Sequence, residues 1–331
     1  MDKTELLSLE NEYLNVQIMP SVGGKIVSLR SVRTGEEFLL PPINAYNHVS
    51  ASAAFSESDG GGFDECLPSV TSCESIAGLS AIADHGDLWR QPWQVQSQDG
   101  AIVLHADATS RPLHLIRKAS LQGASLILDY ELINMSDEPT AWLWSAHPLF
   151  RVEAGDRIVL PEEVRQASVE YSTNVLFKKI NFIDWPVTKS PSALSTDLSL
   201  VRERDDVTAH KLFAHMKDTG WAALYRKEIG QGIVMRFDPR TLPFLGLWIC
   251  LGTWPNDRFE RQYTVALEPT TSNTDSLLTA IKNGTAHVLH ARERLQWKVE
   301  LHLLGASKAT AFDEFCNTAA DYGSIVLDPP C

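Results

Sequence analysis

The chain has 331 residues, 44% of them hydrophobic and 21% charged, with a formal net charge of −13. That composition suits a globular protein with ample material for a core. So acidic a chain, with no long basic run, excludes nucleic acid as the expected partner.

The polar start Met1-Asp2-Lys3-Thr4-Glu5 does not read as a signal peptide, and no window reaches transmembrane length. No membrane partner is expected, and the cytoplasm is the expected location. Five cysteines (Cys66, Cys73, Cys250, Cys316, Cys331) form no CxxC pair and are odd in number, which disfavours a disulfide framework and suits a reducing compartment.

Along the chain, period-2 alternation dominates. It predicts strands over 13–18 and, after Gly23 and Gly24, over 25–29. Further strands are predicted near 93–95, 102–105, 113–119, 125–132, 142–146, 222–225, 233–237, 245–251, 264–268 and 295–303. Helix signals are sparse. Thr274 or Asp275 is placed as the cap of a short helix over 276–282, and a tail helix is predicted over about 309–320. The long irregular stretches fall at about 40–90 and 184–206, and loops of that length are usually functional or mobile. Many short strands and few helices predict an all-β fold, a large twisted antiparallel β-sandwich. The expected division is one sandwich domain over 1–305, with 306–331 as a helical appendage of the same domain.

Two strand ends deliver titratable groups. In Trp142-Leu143-Trp144-Ser145-Ala146-His147 the tryptophans share one face while Leu143, Ser145 and His147 share the other, and Pro148 is expected to end the ladder. In Thr264-Val265-Ala266-Leu267-Glu268, the carboxylate lies on the Thr264 and Ala266 face, with Pro269 expected to break the strand. A carboxylate there is unusual unless it is paired, solvated or used. A histidine and a carboxylate together suit a reaction needing a proton donor and a proton acceptor at once.

Other segments offer binding groups. Asp64 and Glu65 follow the glycine run Gly60-Gly61-Gly62, which lacks the Lys-Ser/Thr of a phosphate loop; both carboxylates are read as acceptors for sugar hydroxyls. Asp84-His85-Gly86-Asp87-Leu88-Trp89 through Trp93 reads as a carbohydrate surface with His85 and Trp89 as contacts, whereas its spacing meets no recognised zinc pattern. Trp248 is assigned a stacking role, Trp254 is read as core, and Lys211 is placed in the cleft lining.

Taken in order, Gly23-Gly24-Lys25-Ile26, Asp84-His85-Gly86 with Trp93, Ala146-His147-Pro148-Leu149-Phe150 and Leu267-Glu268-Pro269 resemble the aldose 1-epimerase (galactose mutarotase-like) superfamily over about residues 8–304. The resemblance implies that superfamily's β-sandwich, a small-molecule sugar substrate, no cofactor and no metal. It implies sugar anomerisation with Glu268 as general base on O1, His147 as general acid on O5 and His85 on hydroxyls or the ring oxygen. That role asks His147 to be protonated and Glu268 ionised, the two facing each other across the width of a pyranose. Pro148-Leu149-Phe150-Arg151 departs from the residues that typically follow the histidine, and no Asn-Arg pair precedes His85, so the identity of the sugar stays open. A homodimer is left open. Two alternatives stand beside the isomerase: a non-catalytic sugar-binding protein on the same fold, and a glycosidase or lyase pairing Asp64 or Glu65 with Glu268.

Overall fold

The computed structural model describes residues 6–47, 49–50, 53–75, 80–98, 100–173, 181–189, 195–255, 260–325 and 327. The polar start at 1–5, the last residues of the tail and Cys331 lie outside them. Two antiparallel sheets make the sandwich. One has ten strands, in the order Leu7–Glu10, Leu14–Met19, Lys25–Ser31, Phe63–Cys66, Ser145–Arg151, Tyr263–Thr270, Phe244–Leu251, Thr208–His215, Gln166–Ser172 and Phe182–Asp184. The other has eight: Arg157–Val159, Trp221–Arg226, Gln231–Phe237, Arg294–Leu304, Ser125–Asn134, Leu113–Gln122, Ala101–Asp107 and Gln94–Gln98.

Alternation decides which side chains fill the space between the sheets. Val265 and Leu267 point inward with Leu126, Leu128, Val299 and Leu301, in one continuous core. Glu268 and His147 take the opposite face of the ten-stranded sheet. A charged pair is nonetheless built into the core: Glu65, on the inward face, receives Arg117 Nη1 at 2.8 Å, Tyr130 OH at 2.8 Å and Trp144 Nε1 at 3.0 Å. Arg117 and Tyr130 belong to the eight-stranded sheet, so the carboxylate ties the two layers together.

Both strands bearing the key groups run through their prolines, contrary to the expectation that each would stop there. Pairing between them is recorded at Ser145↔Thr270 and resumes at Leu149↔Ala266. Pro148 and Pro269 fall in the interval between, where a missing N–H leaves no ladder bond unmade.

The short helix is Leu277–Lys282 and its cap is Ser276, whose hydroxyl accepts from the Thr279 N–H. Thr274 and Asp275, expected as caps, are engaged elsewhere: Thr274 Oγ1 donates to Glu170 at 2.8 Å and Asp275 pairs with Lys211. The tail helix, Phe312–Gly323, packs Phe315 and Ala319 onto Trp221, Tyr225 and Val234 of the eight-stranded sheet. Among the described residues no helix is long and apolar enough to cross a membrane. Cys66, Cys73, Cys250 and Cys316 are free thiols.

Candidate functional site

The register places the acid–base pair. With Ser145 opposite Thr270 and Leu149 opposite Ala266, His147 stands level with Glu268 on the neighbouring strand. His147 Nε2 lies 4.0 Å from Glu268 Oε1. The same row continues on both sides, with Asp64 opposite His147, Gly246 opposite Glu268 and Phe213 opposite Gly246. Gly246 and Ala266 carry almost no side chain, and that opens a floor beside the carboxylate.

Above this row lies a cleft of about 520 Å³ lined by Phe55, Val70, Thr71, Asp84, His85, His147, Glu170, Tyr171, Lys211, Trp248, Trp254, Gln262, Glu268 and Asp275. Its size falls within the range of small-molecule sites. His85 stands at φ +59°, and Gly86 follows at φ +75°, where a Cβ would lie 2.2 Å from the Leu67 carbonyl oxygen. This strained turn aims the imidazole inward. His85 stacks on Phe55 at 3.8 Å, meets the His147 ring edge-on at 5.0 Å, and its Nδ1 lies 3.0 Å from Asp84 Oδ1. Trp248 donates its Nε1–H to Gln262 Oε1 at 3.4 Å and lies 6.2 Å from the Tyr171 ring.

Lys211 bonds directly to Glu268 Oε2 and sits 3.3 Å from Asp275 Oδ1. Burial raises the Glu268 carboxyl above its ordinary value against the opposing pull of Lys211. Burial would lower the Lys211 ammonium, but Asp275 and Glu268 outweigh it and hold the amine firmly protonated. The remaining carboxylate oxygen, Oε1, has no hydrogen-bond partner among the described residues, and neither has His147 Nδ1.

Two expectations about the pair change. Burial drives His147 well below its ordinary 6.5, and charge on His85, Lys211 and Lys25 acts in the same direction, so the cleft holds a neutral imidazole rather than an imidazolium. The gap is also narrower than a sugar ring. Both reacting oxygens of a cyclic hemiacetal are bonded to one carbon, so an acid and a base serving them have to converge rather than flank the ring.

His85, Lys211 and Trp248 line the cleft with His147 and Glu268; three other sequence candidates do not. Glu65 is fully buried on the core face, because adjacent residues of a strand point to opposite sides. Asp64 faces the same way as His147 but is fully buried beneath the cleft, paired to Lys25 at 2.9 Å. The glycine run makes this possible: a Cβ on Gly61 would stand 2.5 Å from the Leu40 carbonyl oxygen, and one on Gly62 3.0 Å from the Lys25 stem. Trp89 is buried behind Phe55, its Nε1–H given to the Asp84 carbonyl at 2.9 Å.

Trp254, read as core, lines the cleft. Phe55, Glu170, Tyr171 and Gln262 carry no expectation from the sequence, and Asp275 carries only that of a helix cap, yet all five line the cleft. A bulge between Val169 and Tyr171 lets the consecutive Glu170 and Tyr171 both reach the cleft, which strict alternation forbids. Asp87, the third member of the Asp84-His85-Asp87 set, instead accepts from Ser110 at 2.7 Å. Among the described residues no three His, Cys, Asp or Glu side chains are grouped to hold a metal ion.

Residues 1–66 match the profile of a domain of unknown function (DUF5107). No curated protein matches the chain by sequence. Solved structures do match. A galactose mutarotase related enzyme from Lactobacillus acidophilus is 15% identical, with 93% of this chain and 100% of that one covered and a TM-score of 0.67. A galactose mutarotase-like protein from Lactobacillus casei is 15% identical over 90% of this chain and 100% of its own, with a TM-score of 0.66. A galactose mutarotase-like protein from Clostridium acetobutylicum is 14% identical over 91% and 95%, with a TM-score of 0.64. The chain has the galactose mutarotase-like sandwich fold.

Proposed function

We propose that this protein is an aldose 1-epimerase-like isomerase that interconverts the anomers of a sugar. The observation that carries the proposal is the facing pair itself: a carboxylate oxygen without a hydrogen-bond partner among the described residues, 4.0 Å from an imidazole nitrogen, on the floor of an aromatic-walled cleft. Glu268 takes the proton from O1. The O1–H electron pair becomes the C1=O π bond as C1–O5 breaks, and His147 delivers a proton to O5. Rotation about C1–C2 and re-addition of O5–H to the other carbonyl face return both protons. Each positioned proton-transfer group contributes typically about 10²–10⁴-fold.

Lys211 pulls the Glu268 carboxyl toward its basic form against burial, while Trp248 and Trp254, which line the cleft, are assigned to the C–H side of a pyranose. The names of the similar structures from L. acidophilus and L. casei support the same reading. The test is exchange NMR on a panel of aldoses. The expected result is accelerated anomer exchange that falls to the solvent rate in Glu268→Gln and His147→Asn. A folded wild-type protein that accelerates no sugar in the panel would refute the proposal.

The Lys211–Glu268 contact favours one competing reading, a sugar-binding protein whose carboxylate is already engaged. It requires calorimetric sugar binding that survives Glu268→Gln while exchange stays at the solvent rate.

A further inference from the structure

The buried cluster beneath His147 is charged beyond its own needs. Lys25, fully buried, is already matched by Asp59 at 2.6 Å and donates to the Gly61 carbonyl at 3.1 Å. Asp64 adds a second carboxylate at 2.9 Å from the same ammonium, and among the described residues neither of its oxygens has a well-formed hydrogen bond. Burial, helped by Asp59 and opposed by Lys25, pushes the Asp64 carboxyl up to about 6, so above that pH two buried carboxylates on one cation leave an excess negative charge, which is costly to bury without a use. The excess is not in contact with solvent or cleft, so it does not bind substrate directly.

Its position supplies the use. Asp64 is the cross-strand partner of His147, on the same face of the sheet, and directly opposed side chains have Cβ atoms roughly 4.5–5.5 Å apart. The other charged and titratable groups around His147 are Glu268 across the opposite strand pair, Lys211 beyond it, Lys25 behind Asp64, and His85 with Asp84 on the turn above. Lys25, Lys211 and His85 all oppose a proton on the imidazole. Of the carboxylates, Glu268 is bound to Lys211 and Asp84 to His85. Glu268 shares Lys211 with Asp275 as Asp64 shares Lys25 with Asp59, but Glu268 is the base and gains a proton in the reaction, so Asp64 is the neighbouring carboxylate that keeps its charge through the step.

We infer that Asp64 is a positioning residue that stabilises the positively charged form of His147, and so makes the proton-donating state of the acid accessible. The inference rests on the isomerase reading, since it explains how an imidazole that burial keeps neutral can act as an acid. Asp64 touches no reacting atom and acts only through His147.

The test is a ¹⁵N NMR titration of His147 in the full chain, with the His147→Asn spectrum identifying the resonance, alongside pH profiles of anomer exchange. In Asp64→Asn the fraction of His147 protonated at a given pH above about 6, where Asp64 is ionised, should fall by roughly tenfold, the shift expected on losing an adjacent opposite charge. The limb of the kcat/KM profile that His147 sets should move to lower pH by the same amount, with KM little changed. Asp64→Glu, which keeps the charge, should restore the titration. Asp59→Asn, on the far side of Lys25, should change protonation by less than about threefold by the same reasoning. An unchanged His147 titration in Asp64→Asn, or equal shifts in the two asparagine variants, overturns the inference. If Asp64→Asn does not fold, Asp59→Asn decides alone, and a tenfold loss there overturns it. A wild-type protein that exchanges no sugar defeats the isomerase reading instead, while the titration still reports on Asp64.

Discussion

Gly246 lies directly opposite Glu268 in the ladder, and a Cβ built there would stand 3.1 Å from the carboxylate Oε2 and 3.2 Å from its Cβ. Phe213, 3.4 Å from the same point, closes the other side. The absent side chain therefore leaves the space in which the carboxylate stands. Gly246→Ala should push Glu268 by a few tenths of an ångström and loosen its contact with Lys211. An overpacking cost of about 1–3 kcal/mol is expected. A misplacement approaching 1 Å costs up to about 10²-fold in rate. Thermal denaturation read beside exchange NMR checks both, and activity should fall further than the loss of folded protein explains.

Lys211 makes its own prediction because it affects both partners in one direction. It lowers the pKa of Glu268 and that of His147. In Lys211→Met both should rise, so the bell-shaped profile of kcat/KM should move as a whole to higher pH. Activity on the acid side should be lost, because Glu268 then stays protonated. Breaking a buried pair from one side also destabilises by about 3–5 kcal/mol, so denaturation midpoints should fall as well. A profile that narrows instead of moving would contradict this account.

Glu65 distinguishes a binding group from a structural one. It lies between the sheets with Arg117, Tyr130 and Trp144 as partners. Glu65→Leu strands the buried Arg117 guanidinium and should cost about 3–5 kcal/mol, with KM unchanged in whatever protein remains folded. Glu65→Leu combined with Arg117→Met should recover much of that stability, since matched apolar replacements of buried pairs are often neutral. Urea denaturation of the single and double variants measures the difference. A raised KM in the single variant would put Glu65 back in contact with the sugar.

The sandwich was legible in the sequence because alternation encodes one-sided burial: the stretches read over 125–132 and 295–303 are the strands Ser125–Asn134 and Arg294–Leu304. His147 and Glu268 stood out as polar groups on strand faces. Their meeting was not legible, because it depends on register between segments some 120 residues apart in the chain. Asp64 and Glu65 could not both face the cleft, and alternation alone carried that information. Phe55 comes from the 3₁₀ turn Phe55–Glu57, and Gln262 and Asp275 from a strand margin and a loop, where no periodicity marks a direction. Trp89 and Trp254 differ in burial, although both are tryptophans in aromatic surroundings, and composition does not distinguish them.

Acid should weaken the anchoring of the tail helix. His302, on the strand Arg294–Leu304, shares a hydrogen bond with Ser125 Oγ at 2.8 Å and stacks on Tyr322 of the tail helix at 4.0 Å. Burial lowers it to about 4, against the pull of Glu300. Burial likewise lowers His210, bonded to Ser172 Oγ at 2.9 Å, to about 4. Unfolded histidines titrate near 6.5, so between about 6.5 and 4 the unfolded chain binds more protons than the folded one. The stability these groups contribute is present above the unfolded value and is lost as pH falls toward the folded one. The loss should amount to about 1–3 kcal/mol for each buried histidine across that window. His302→Gln removes the titrating group while keeping a polar side chain. Its denaturation midpoint should therefore fall less steeply with acidification than the wild type's, and hydrogen exchange should show the remaining wild-type loss beginning in the helix Phe312–Gly323. Parallel slopes for the two proteins would mean that His302 titrates alike in both states and that the packing of the tail helix is insensitive to its charge.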